Sequence, residues 1–335
     1  MTQPTARAVH VDQPLTNISI AFLQNANNFI ASRVFPNIRV QKQSDVYYTY
    51  DRGFFNRNEA KLRAPATEAA IAGFGIGTDN YFAKVVALKT QLAWQVQANA
   101  DTPVQLERAN TELLLHKMLI EKEVDWTSRY FATGVWGLEY EGVADSTSGP
   151  GTDEVVQWSD ATSGTPIENI RQGKTDLMES TGYEANTLVL NQRVMDALVD
   201  HPDIIDRIKY SGGVGNQNPA RTSVQALAQL FEVDRILVTR AIQNTAAEGD
   251  ANAHAFIGGN NALLTYVPPT PGLMTPSAGY TFTWSGYQGA SNEFGVSVVR
   301  RDRELIKATE VEVEQAYVHK LVSAELGVFW KDIAA

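Results

Sequence analysis

The chain has 335 residues, 44% of them hydrophobic and 20% charged, a composition that excludes disorder, collagen and coiled coil. It contains no cysteine, which removes disulfide frameworks, thiolate metal sites and cysteine nucleophiles from consideration. A net charge of −10 argues against a role in coating nucleic acid, because phosphate binding requires clustered Lys and Arg.

The length suits about two domains. Residues 1–35 read as an arm rich in Asn, Gln and Thr, with apolar clusters at 18–23 and 29–35 and with Thr16 or Asn17 as a helix cap. The arm has too few apolar residues for its own core, so if ordered it must lie on something else. The opening MTQPTARAVHVDQPL lacks a signal-peptide apolar stretch. No segment approaches the ~20 apolar residues of a membrane span. The chain therefore reads as soluble and intracellular when made.

Residues 46–50 form strands readily. A charged run, 51–63, and a run of small residues, 64–77, follow. Arg39, Lys42, Arg52, Arg57, Lys61 and Arg63 face only Asp45, Asp51 and Glu59, a net of +3 on a remainder of −13. This basic island is either a solvated loop or an extended loop that docks on an acidic surface of another copy. Tyr47, Tyr48, Tyr50, Phe54 and Phe55, interleaved with Arg52 and Arg57, suit a protein interface better than base stacking.

Residues 82–97 read as one long strand, with Val86, Leu88, Leu92, Trp94 and Val96 on one face and Lys89, Gln91, Gln95 and Gln97 on the other. A helix then opens with Thr102 as cap, Pro103 at the first position and Gln105 completing a capping box. Over residues 103–131 it would be roughly 43 Å long. Leu106, Leu113, Ile120 and Val124 form its apolar stripe, widened by Leu114, Met118 and Leu119. Glu107, Arg108, Glu112, Lys117, Glu121, Lys122 and Glu123 fall on the remaining surface.

Residues 134–165 are a polar connection holding Trp136 and Trp158. A helix over 166–183 starts at Pro166 and stops at Gly182. Strand 187–190, helices 192–199 and 203–210, a Gly/Asn loop at 211–218, helix 224–231, and strands 235–239, 255–257, 262–267 and 280–284 make a mixed α/β region. The Pro-rich stretch 267–276 is a loop. Glu310, Glu312 and Glu314 alternate with Val311 and Val313, a long strand with an acidic wet face. Residues 320–335 read only as a moderately apolar segment containing Phe329-Trp330.

Signs of catalysis are missing. His10, His116, His201, His254 and His319 have no ligand spacing, so no cofactor or metal is expected. Gly173-Lys174-Thr175 imitates the end of a P-loop, but Glu168 stands where glycine is needed and the context is helical. Gly73 to Gly77 imitates a dinucleotide fingerprint, yet a strand follows it instead of preceding it, which reads as a hinge. Asn17-Ile18-Ser19 matches a glycosylation sequon without a secretory signal. A hydrolase would have to use carboxylates such as Asp153 and Glu154, which in a Gly/Ser loop read as solvated.

The order of parts, together with Phe35-Pro36-Asn37-Ile38-Arg39-Val40, Leu188-Val189-Leu190-Asn191 leading to His201-Pro202-Asp203, and Arg235-Ile236-Leu237-Val238, resembles the major capsid proteins of tailed bacteriophages, with their Hong Kong 97-like fold. The resemblance implies an α+β phage capsid fold. Its parts would be an N-terminal arm (1–35), an extended β-hairpin loop and long strand (36–97), a peripheral domain with a spine helix (98–165), a mixed α/β axial domain (166–300), a returning peripheral strand (301–320) and a C-terminal segment (321–335). It implies no enzyme, but a shell protein that self-assembles into pentamers and hexamers around double-stranded DNA. A separate scaffolding protein, a portal and a possible decoration protein would be partners. DNA would be touched only weakly and non-specifically, and no membrane would be involved. The protein would be made in the bacterial host cytoplasm and end in the virion. The lysine–asparagine cross-links of some relatives have no matching positions here. Inter-subunit contacts would join Arg39, Lys42, Arg52, Arg57, Lys61 and Arg63 to Glu107, Glu112 and Glu121, or to Glu310, Glu312 and Glu314. An encapsulin-like compartment on the same fold is the alternative. A tail or decoration protein is a further one, opposed by the long helix.

Overall fold

A computed structural model describes residues 24–100, 106–146, 149–211, 223–272, 275–287 and 296–335, with side chains except at 209–211. The expectations for residues 1–23, for the capping box at 101–105 and for the loop at 212–218 lie outside these residues.

From Gln24 the chain makes a 3-10 turn (Ala26–Asn28), α1 (Ala31–Val34) and β1 (Asn37–Val40). A hairpin of β2 (Ser44–Tyr50) and β3 (Ile76–Phe82) follows, its long loop opening with α2 (Arg52–Phe55). Next come β4 (Lys84–Ala93), α3 (Trp94–Ala98), α4 (Leu106–Tyr130), β5 (Leu138–Val143), β6 (Glu154–Val156) and α5 (Pro166–Thr181). The chain continues through β7 (Thr187–Asn191), α6 (Gln192–Asp200), α7 (Pro202–Ser211), α8 (Val224–Leu230) and β8 (Arg235–Thr239). It ends with β9 (Ile242–Asn244), β10 (His254–Phe256), β11 (Ala262–Thr265), β12 (Gly279–Trp284), β13 (Val296–Arg303), β14 (Ala308–Leu321) and β15 (Gly327–Lys331).

Two main sheets organise these elements. The first is built around β14, which takes β4 along one edge, and β13 followed by β12 along the other; β1 adds in parallel to β12. The second has the order β6-β5-β15-β11-β7-β8. β7, β11 and β15 are its middle, and β7 and β11 are buried on both faces, so their side chains show no alternation. Trp330, Phe329 and Val328 of β15 meet Leu188, Leu190, Ile170 and Leu177 in one core that also takes in Trp126 of α4 and Phe35. α5 starts at Pro166 and ends at Gly182 in the left-handed region (φ 78°), as its sequence dictates. The Gly173-Lys174-Thr175 decoy is inside this helix. A side chain at Gly173 would run into the Trp330 ring, and Lys174 donates to the Glu232 carbonyl at 2.7 Å.

Three expectations need correction. The strand expected over 82–97 stops at Ala93, where its partner β14 begins: the last rung is Trp94 N–H to the Lys307 carbonyl at 2.9 Å, and the chain then coils into α3. The buried face of α4 is turned by about one residue, or 100°. Leu114, Met118, Lys122, Glu123, Trp126 and Thr127 face inward, whereas Leu113 is 42% exposed and Leu115 and Leu119 also reach solvent. The inward face is set by what it packs on. Leu114 and Met118 meet Val311 and Val313, and the end of the helix meets Ile30 and Phe35. The acidic face of β14 is only partly wet: Glu310 is 4% exposed beneath β13 and β4 side chains, whereas Glu312 and Glu314 are half-buried.

Each main sheet draws strands from more than one of the segments named above. β12 and β13, placed in the axial region by the 166–300 division, belong to the sheet of β14. β5 and β6 from residues 98–165, and β15 from the C-terminal segment, belong to the six-stranded sheet. Among the described residues, no helix is long and apolar enough to cross a membrane and no His/Cys/Asp/Glu group could hold a metal ion.

Candidate assembly surface

The β2–β3 hairpin is anchored at two places, its base and the start of its loop. Tyr81 stacks on Phe282 of β12 at 4.6 Å between ring centres, and Tyr47 packs on the same ring at 5.5 Å. The Tyr47 hydroxyl donates to Asp79 at 2.7 Å, and Lys320 of β14 pairs with Asp79 at 3.2 Å. These bonds, with the charge of Lys320, hold the Asp79 carboxyl below its ordinary range. Farther out, Arg52 bonds the Ser180 carbonyl and pairs with Glu325 at 2.8 Å. Between these two anchor points the hairpin bridges a cleft of about 1150 Å³, lined by Tyr48, Tyr50, Phe55, Tyr183, Phe282 and Val322 among others.

The distal loop is different. Tyr50, Phe55 and Phe74 form a small ring cluster with centroids 5.4–6.3 Å apart, and Arg57 sits over Phe54 at 5.8 Å. Every residue from 60 to 78 is exposed. Leu62 is fully exposed and Ile71 is 95% exposed. Both large aliphatic side chains are held in water, away from the core.

The basic residues of this region divide into groups. Lys42 pairs with Asp45 at 3.3 Å, and Arg57 with Glu59 at 3.6 Å. Arg63 bonds the Thr67 carbonyl. Arg39 lies in β1 and lines the cleft beneath the hairpin. Lys61 makes no ion pair among the described residues and is exposed. Of the acidic candidates, Glu107 pairs with Arg300 at 2.9 Å and Glu112 with Arg108 at 2.8 Å. Glu121 is exposed and makes no ion pair among the described residues. Glu310 is held by Arg303 at 2.8 Å, Gln91 at 2.6 Å and Lys89 at 3.4 Å, which lower its pKa to about 2. Glu312 pairs with Arg301 at 2.8 Å, and Glu314 accepts the Tyr287 hydroxyl at 2.8 Å. All three β14 glutamates therefore have partners in their own subunit. β13, which supplies two of those partners, has no clean alternation and was not legible as a strand.

The charged residues that sequence reasoning missed are Lys122 and Glu123, 4% and 1% exposed. Glu123 Oε2 accepts the amides of Ile30 and Ala31, both at 2.9 Å, and Oε1 lies 3.4 Å from the Thr239 hydroxyl. Burial pushes the Glu123 carboxyl up and the Lys122 ammonium down. No sequence signal marks this contact, because its partners lie more than 90 residues away.

Comparison with known proteins bears on what such a surface is for. Residues 154–303 match the family described as Phage major capsid protein E. A major capsid protein of Burkholderia phage BcepMu is 25% identical over 285 residues, covering 82% of this chain and 84% of that one. The structure of a phage-related protein from Bordetella bronchiseptica RB50 aligns over 91% of this chain and 92% of its own, with a TM-score of 0.67 and 20% identity. The capsid of cyanophage P-SCSP1u aligns over 98% and 95%, with a TM-score of 0.60 and 11% identity. Fold and sequence agree: the chain has the capsid fold of phages, and over residues 154–303 it matches the phage major capsid protein E family.

Proposed function

We infer that the chain is the major capsid protein of a phage and that its copies associate into the shell of the virion. The observation that carries this reading is the exposed apolar hairpin loop, Leu62 and Ile71 above all, on a chain whose fold is that of phage capsids. A hairpin held along its strands, with an exposed loop beyond Arg52, suits a neighbour's surface. Pentamers and hexamers in an icosahedral lattice around double-stranded DNA complete the reading. So do a separate scaffolding protein, a portal and a possible decoration protein. The net charge of −10 suits a container that must not bind packed DNA tightly. The role is structural. The encapsulin-like alternative is the weaker reading, since the matching family and the Burkholderia relative are phage capsid proteins.

Electrostatics would help to set register. The contact proposed earlier narrows to Lys61 and Arg63, with Arg52 and Arg57 beside them, meeting Glu121, Glu112 and Glu107 on α4 of an adjacent subunit. The exposed Leu113, Leu115 and Leu119 supply apolar area on that helix. The test is a charge-reversal variant with Arg52, Arg57, Lys61 and Arg63 all changed to Glu, followed by negative-stain microscopy and sizing chromatography. Loss of shells or rings at moderate salt is expected. Normal assembly overturns the proposed contact.

A further inference from the structure

Residues 24–31 belong to neither main sheet, yet they touch two parts of the molecule. The Gln24 side chain makes a paired contact with β9, donating to the Ile242 carbonyl at 2.6 Å and accepting the Ile242 amide at 2.8 Å. Asn28 accepts the Arg240 amide at 3.4 Å. Phe29 meets the edge of His116 on α4 at 5.9 Å. The amides of Ile30 and Ala31, at the uncapped start of α1, both point at Glu123 of α4. Beyond them Val34 and Phe35 are pinned, with Phe35 against Trp126 and Tyr130 and its carbonyl accepting from Thr281 at 2.9 Å. The segment thus spans from α4 to the β8–β9 connection, with Val34 and Phe35 as its pivot.

We propose that residues 24–31 form a releasable strap and that the Glu123 carboxyl group is its latch, joining the strap, the spine helix α4 and the end of β8. A buried acid is a poor way to stabilise a fixed joint, since well-packed apolar residues do so as well or better. It does make the joint responsive. The carboxyl group accepts both amides at Oε2 and the Thr239 hydroxyl at Oε1, and in its neutral form it does so without a buried charge. An ionised one keeps the amides but carries a charge into a nearly dry pocket. Opening the strap returns the group to water, where ionisation is free of that penalty.

The groups facing the latch set the direction. On α4, Lys122 is the neighbouring cation, and burial pushes it down, so it too loses its proton as pH rises. His116, beside Phe29, is held below its ordinary value by burial. On β14, burial holds His319 down to about 3 and raises Tyr317, so both stay neutral around pH 7. β8 contributes only the Thr239 hydroxyl. Burial raises Glu123 to about 7, so the latch is closed most firmly by its proton in the ordinary carboxyl range and loosens as pH rises from there to about 7, above which the effect levels off.

Amide hydrogen exchange on the full chain between pH 4.5 and 8.5 tests this. After correction for the intrinsic rate, protection at Ile30 and Ala31 should fall by up to about tenfold per pH unit as pH rises toward about 7 and should level off above it. The amides of Leu188 and Leu190 should keep theirs. Glu123→Gln, which keeps an accepting oxygen but cannot ionise, should abolish the pH dependence. Flat protection at Ile30 and Ala31 in the unaltered chain would overturn the proposal, as would loss of strap and sheet protection together. So would an unchanged pH dependence in a folded Glu123→Gln variant. If that variant fails to fold, the two readouts on the unaltered chain decide the question alone.

Discussion

The six-stranded sheet and the hairpin loop are opposite solutions to the same apolar content. In the sheet, Trp330, Phe329, Leu188 and Leu190 are fully buried, and each has partners in its own subunit. In the loop, Leu62 and Ile71 have none. Apolar side chains stabilise a fold only by leaving water. The sheet accounts for the stability of the subunit, and the loop, on the function proposed above, is left as contact area for a neighbour. Mutation should separate the two regions cleanly.

The largest effect on folding is expected in the sheet. Trp330→Ala removes a buried ring packed against Trp158 at 5.7 Å and should lower unfolding stability by about 3–5 kcal/mol in denaturant titration. Next comes acid. His319 is buried, and its Nδ1 is 2.8 Å from the Thr281 hydroxyl, which itself donates to the Phe35 carbonyl. Its depressed pKa of about 3 means that the folded chain binds fewer protons than the unfolded one between pH 6.5 and 3. Stability from this residue is present above pH 6.5 and lost as pH falls through that window. The loss by pH 4 should be roughly 2–3 kcal/mol, and much of it should disappear in a folded His319→Gln variant.

A smaller effect is expected at Gly327, where a methyl group would collide with the Trp136 ring. Gly327→Ala should cost about 1–3 kcal/mol, read as a lowered thermal midpoint. The smallest effect on folding belongs to the loop. Leu62→Asp combined with Ile71→Asp should change subunit stability by less than about 0.5 kcal/mol. A loss as large as that of Trp330→Ala would erase the distinction between the two regions.

The parts legible in the sequence are those whose signal is local. α5 carries its proline start and glycine stop, β14 alternates, and β7 is a short apolar run between turn signals. The parts that were not legible depend on distant partners. β15 is covered on both faces, so Val328-Phe329-Trp330 lacks alternation and reads as an apolar tail. The inward turn of Lys122 and Glu123 is set by amides of residues 30 and 31, and no helix pattern contains that information. The glutamates of β14 were correctly placed on one face, but the arginines of β13 that cover that face come from a strand with no clean pattern. In the candidate surface the charge asymmetry was legible. The in-chain bonds and ion pairs that hold most of the candidate charges required the folded arrangement.

The central claim is that the hairpin loop is assembly surface. The most direct measurement compares the unaltered protein with the Leu62→Asp/Ile71→Asp variant by negative-stain electron microscopy and sizing chromatography, after matched unfolding curves have shown both subunits equally folded. Shells or rings from the unaltered protein and single subunits from the variant are the predicted result. Shells of normal size from the variant would contradict the account.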